Sequence, residues 1–265
     1  TGELDPEAPA RLLSVATATP IDAGLKLSAA FGGANASLVL ERAGNRASPD
    51  AKPRRPVFLM GFAHAASSDV ARIAAVSGQE ADKIARADAI SLLLATAIAG
   101  LGRDDLAGAG IIVGHGLATI DINDRFYQRV LAKGPAAAEP RVFPPTSPNL
   151  MPGQVAIYFG LTGPSAALAS GVGGALQPLD LAAELVAAGD ADRMIAASVD
   201  VFGPASRDVL ALAFPGVSRA EDGAVAALLG ASPEGALAPV DLDRQGRGLT
   251  HESLLEALEA LAGKR

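Results

Sequence analysis

The chain has 265 residues, 49 % hydrophobic and 19 % charged, with a net charge of −7 and an isoelectric point near 5.0. That length can bury a sizeable core in one large domain or two small ones. The acidity, with 4 % aromatic residues and no Trp, argues against a nucleic-acid partner. The absence of cysteine excludes disulfides, thiolate catalysis by this chain and Cys-ligated metals, and fits a reducing, cytoplasmic setting. No apolar run is long enough to span a membrane. TGELDPEAPARLL does not have the form of a signal peptide, and the missing initial Met points to a trimmed, processed or excerpted chain.

Residues 1–19 read as loop, with Pro6 and Pro9. LKLSAA and ASLVLER read as two strands joined by the Gly-rich turn FGGAN. NRASPDAKPRRP, residues 45–56, is a Pro-rich and basic stretch, expected as an exposed linker. PVFLMGFAHA is a continuous apolar run, as in a buried strand. EADKIARADAISLLLATAIAGLG predicts one amphipathic helix, with apolar positions at Ile84, Ala87, Ala89, Ile90, Leu93, Leu94 and Ala97. AGIIVGHG predicts a second buried strand, NDRFYQRVLAKG a helix closing at Gly134, and RVFPPTSPNLMP a Pro-rich loop. A helix over Met151–Gly160, a strand SAALAS, a small-residue elbow at 170–174 and a helix to Gly189 follow. RMIAASVD and GAVAALLGAS are strands, and HESLLEALEALAGKR is an amphipathic helix of the kind that frays or docks on a partner.

Strands alternating with helices from 57 to 232 predict an α/β fold, a mainly parallel sheet with helices on both faces. The last strand pair is expected to turn antiparallel, because its link reads as loop. A strand, a tight elbow and then a helix is the layout that holds a nucleophile in many α/β enzymes, yet Val172 stands at the tip. Valine can neither attack, ionise nor hydrogen-bond. Ser170 stands two residues before the tip and is expected to point elsewhere. The run Gly171–Gly174 at a helix start suits an anion, but no Lys or Arg follows in a P-loop arrangement. No metal-ligand spacing is present, and no cofactor is implied. Three histidines remain: His64 and His115 at the carboxyl ends of predicted strands, a place for a site, and His251, expected at the surface.

Several of these segments, in order, resemble the β-ketoacyl synthases of fatty-acid and polyketide assembly, which have the thiolase fold. FPPTSPNLMPGQVAIYFGLTGPS is similar to the helix and loop before the family's nucleophile, AAGDADRMIAASVD to its G-x-A-D strand, and DGAVAALLGAS to the E-G-A strand closing its N-terminal half. AAFGGANASLVLERA resembles the family's closing strand pair, which in a synthase stands at the C-terminus. The resemblance therefore divides the chain into a closing strand pair (1–44), a linker (45–56), an N-terminal-half domain (57–232) and a tail with a short helix (233–265). The strand pair is expected to add to the same layered sheet, and most of the C-terminal half is absent.

The resemblance implies that Val172 replaces the acylated Cys, and that the family's catalytic His and Lys residues lie in the missing half. The acyl-channel loop would keep Phe31, Gly32, Gly33 and Asn35, with Ala29–Ala30 in place of the usual Phe-Gly. Dimer pairing would use the strand before the elbow: Pro164, Ser165, Ala166, Ala167, Leu168, Ala169 and Ser170. The implied function is a catalytically silent, chain-length-factor-like subunit. Its partners would be an active ketosynthase and an acyl carrier protein. The alternatives are part of an active condensing enzyme whose Cys, His and Lys come from another polypeptide, or an acyl- or carrier-binding module without turnover.

Overall fold

The structure is a computed structural model that describes residues 20–29, 35–42, 53–102, 106–117, 119–140, 142–169, 171, 174–216, 221–240 and 250–263. The chain divides into two compact units, Thr1–Ala51 and Lys52–Arg265.

The first unit holds a hairpin of β1 (Ala23–Ala29) and β2 (Asn35–Glu41), antiparallel, with Ala23 opposite Glu41 and Ala29 opposite Asn35. Leu25 faces Val39 across the pair, and Lys26 faces Leu38. Because successive side chains alternate between faces, both faces carry leucine or valine, and Leu25, Leu27, Leu38, Val39 and Leu40 are all exposed. Asp22 and Arg42 close the open end with an ion pair at 3.1 Å. The two strands pair with each other in a sheet of their own rather than extending the larger sheet as expected. Pairing across a short turn closes a small loop, whereas joining another sheet closes a long one.

The second unit is built on a six-stranded sheet of order β5–β4–β6–β7–β3–β8. Its strands are β3 (Phe58–Ala65), β4 (Gly110–His115), β5 (Ser165–Ala169), β6 (Arg193–Asp200), β7 (Gly223–Gly230) and β8 (Ala238–Pro239). β5, β4 and β6 are parallel, while β7 is antiparallel to both β6 and β3. The sheet is thus mixed: β7, between β6 and β3, and β8, at the edge beside β3, run opposite to the other four strands. The last strand pair is antiparallel as expected, and its link, expected to be rich in loop, contains α7 (Pro204–Ala213). That helix packs on α4 (Ile120–Lys133) beyond the strand ends instead of crossing the sheet. The chain therefore re-enters from the end it left, which makes β7 antiparallel.

On one face lie α1 (Val70–Ser77), α3 (Ala89–Ala99) and α5 (Leu150–Phe159). They pack on Ile111, Val113, Ile195 and Leu228. On the other lie α6 (Gln177–Ala188) and α8 (His251–Ala262), over Ile112, Met194, Val225 and Leu229. Both faces are covered, so the strands read as continuous apolar runs.

Three helical expectations change. The single helix predicted over 80–102 is two, α2 (Ala81–Ile84) and α3. The break falls at Asp88, whose carboxylate accepts the N–H of Ser91 at 2.9 Å and its hydroxyl at 2.7 Å. This is an N-cap that starts a new helix. α3 is not amphipathic, since nine of its eleven residues are buried. α8 docks on its own sheet through Leu254, Leu258 and Leu261. In the predicted linker, Arg54 pairs with Glu184. Arg55 donates to the carbonyls of Val186 at 3.0 Å and Ala191 at 2.5 Å, and to Asp192 at 2.7 Å. Arg55 satisfies carbonyls at and just past the end of α6, where positive charge is favourable.

Candidate functional site

The sheet places its chemistry at the carboxyl ends of β3, β4, β5 and β6, which point the same way. From β4 the chain passes outward to β5, and from β5 it crosses back to β6. The point between β4 and β6 is where connections diverge, and there an open α/β sheet offers a crevice. Gly174 and Pro178, before and at the start of α6, lie against it. A Cβ on Gly114, near the end of β4, would come within 1.8 Å of the Gly174 carbonyl oxygen and 2.4 Å of Pro178 Cγ. Only glycine lets Gly174 and the start of α6 sit this close to the strand. Ser170, Val172 and Gly173 lie outside the described residues. Gly171, beside them, has φ +53°, a left-handed conformation suited to glycine.

Asp200 ends β6 and is buried. One oxygen accepts the backbone N–H of His251 at 2.7 Å and lies 3.4 Å from that ring's Nδ1. The other accepts the N–H of Gly116, next after β4, at 3.4 Å. His251 is 3 % exposed, which corrects the surface position expected for it. It begins α8, and Asp200 supplies the helix cap that Thr250 does not. The His64 ring, from β3, stacks on the His251 ring, with centroids 5.9 Å apart and planes 5° off parallel. His115 is also 3 % exposed, and neither ring nitrogen has a hydrogen-bond partner. Burial pushes its pKa down, against the opposing pull of Asp200. His64 is likewise lowered, by loss of water against α8 and by His251, with Glu252 and Glu259 opposing.

Asp200 thus stands between His251 and the end of β4 that carries His115, and His64 reaches it only through the His251 ring. Sequence reading placed His64 and His115 at strand ends but missed Asp200 and the buried role of His251. The signal available was an Asp closing an apolar strand, RMIAASVD. The arrangement contains no nucleophile–base pair among the described residues. Ser198 Oγ is buried without a partner. No group of three or more potential metal ligands occurs among the described residues.

Of the residues expected to pair in a dimer, Ser165–Ala169 form β5. β5 is an edge strand, bonded to β4 from Ser165 opposite Ile111 to Ala169 opposite His115. Ser165 and Ala169 are exposed, and Ala166, Ala167 and Leu168 are half-buried. Pro164, just before it, accepts the Ile111 N–H through its carbonyl at 2.8 Å. Of the predicted acyl-channel loop, Phe31, Gly32 and Gly33 lie outside the described residues, and Asn35 begins β2 opposite Ala29. No helix among the described residues is long and apolar enough to cross a membrane.

The chain belongs to the β-ketoacyl synthase family: residues 40–219 match the model of that family's N-terminal domain. It is 29 % identical over 100 residues to 3-oxoacyl-[acyl-carrier-protein] synthase 2 of Vibrio cholerae serotype O1, covering 38 % of this chain and 24 % of the relative. Similarity to the same-named protein of Vibrio harveyi is 29 % over 97 residues, again 23 % of the relative's length. The chain thus spans about a quarter of the curated relatives it matches. Among solved structures, the ishigamide ketosynthase/chain length factor aligns with a TM-score of 0.55 at 18 % identity, over 70 % of this chain and 65 % of that one. The ketosynthase ApeO in complex with its chain length factor ApeC, from Xenorhabdus doucetiae, aligns at 0.52 and 16 %, over 78 % and 90 %. The fold is therefore thiolase-like, as the sequence motifs implied.

Proposed function

We propose that this chain is a catalytically silent, chain-length-factor-like subunit that pairs with an active β-ketoacyl synthase in fatty-acid or polyketide biosynthesis. The observation that carries the proposal is the edge position of β5 in a chain of this family with no cysteine. An edge strand of small apolar residues presents unpaired backbone groups and invites a second strand. Pairing with a like subunit about a pseudo-twofold axis covers it. Val172, aligned with the family's nucleophile, cannot form a thioester. The structural neighbours that are themselves ketosynthase–chain length factor assemblies support the same reading. Another neighbour is a type II polyketide synthase acyl-carrier protein in complex with its ketosynthase, and an acyl carrier protein is the further partner proposed here.

The test is co-expression with a Cys-containing ketosynthase followed by light scattering and intact mass. A one-to-one complex is expected, in which acyl-carrier substrate loads the partner and leaves this chain's mass unchanged. An acyl mass on this chain would overturn its silence. A chain that stays a lone monomer or homodimer beside the ketosynthase would overturn the pairing. Within the complex, Val172→Phe narrows a shared channel and is expected to shorten the product.

A further inference from the structure

We draw no further inference here: the strongest candidate, the cavity between the first turns of α3 and α4 that Asp88, Ile90, Asp121, Ile122, Arg125 and Val201 line, carries none, because both of its carboxylates are engaged as helix caps and nothing in the structure shows what it holds.

Discussion

At the scale of single residues, two acids, one buried and one half-buried, act as helix caps from a distance. Asp200 caps α8, and Asp121 on α4 caps α7. Asp121 accepts the N–H of Gly203 and of Ala205, each at 2.9 Å, and bonds the Ser206 hydroxyl. Burial alone would raise its pKa, but these bonds outweigh burial and hold it below the ordinary carboxylate value. A group with a depressed folded pKa stabilises above its unfolded value, and that stability is lost as pH falls through the folded one. Asp121→Asn should therefore cost about 1–2 kcal/mol at neutral pH, and the difference from wild type should shrink below about pH 4. Urea melts at several pH values measure both. His115 has the opposite sign. Its buried ring resists protonation, so the unfolded chain takes up the proton first, and stability falls as pH drops below about 6.5. Replacing it by Leu should flatten the global melting curve over that range. The Gly114 site tolerates no side chain: Gly114→Ala meets a backbone oxygen at 1.8 Å and should cost about 3 kcal/mol, seen as a lowered midpoint of unfolding.

At the scale of elements, the informative cases are those where amphipathicity misleads. α3 carries an apolar surface all round because α1 and α5 cover the side away from the sheet. Leu94 is fully buried there, and Leu94→Ala is expected to cost about 2–5 kcal/mol by denaturant unfolding. α8 shows the three-to-four spacing of a surface helix and uses it on its own sheet. β5 is the counter-case, a strand with pairing on one side only. Ala167→Lys puts a charge at its middle, and edge charges block strand addition. The variant should keep the wild-type melting curve and lose the complex with a ketosynthase on size exclusion. An unchanged complex would move the interface elsewhere.

At the scale of the whole molecule, the six-stranded unit is finished on both faces by its own helices. A chain that covers about a quarter of its curated relatives can therefore still bury a continuous core. The hairpin unit differs, with leucine and valine exposed on both faces. An isolated two-stranded hairpin is marginal in water. We expect its amides to exchange far faster than those of β4, β6 and β7 in the unpartnered chain, and to gain protection in the ketosynthase complex. Hydrogen exchange on the free and paired chain checks this.

The sequence by itself determined the buried strands and the family. Those rest on local information: apolar runs such as GAVAALLG, and motif order. It also placed β5. What only the tertiary structure decided was long-range. The order of strands, the reversal of β7 and the contacts of Asp200 with His251 and Gly116 and of His251 with His64 join residues far apart in the chain. No periodicity carries that, because a side chain's partners across a sheet are set by which strands lie side by side. A histidine at the head of a charged, amphipathic helix reads as solvated until the fold brings an aspartate to its N–H.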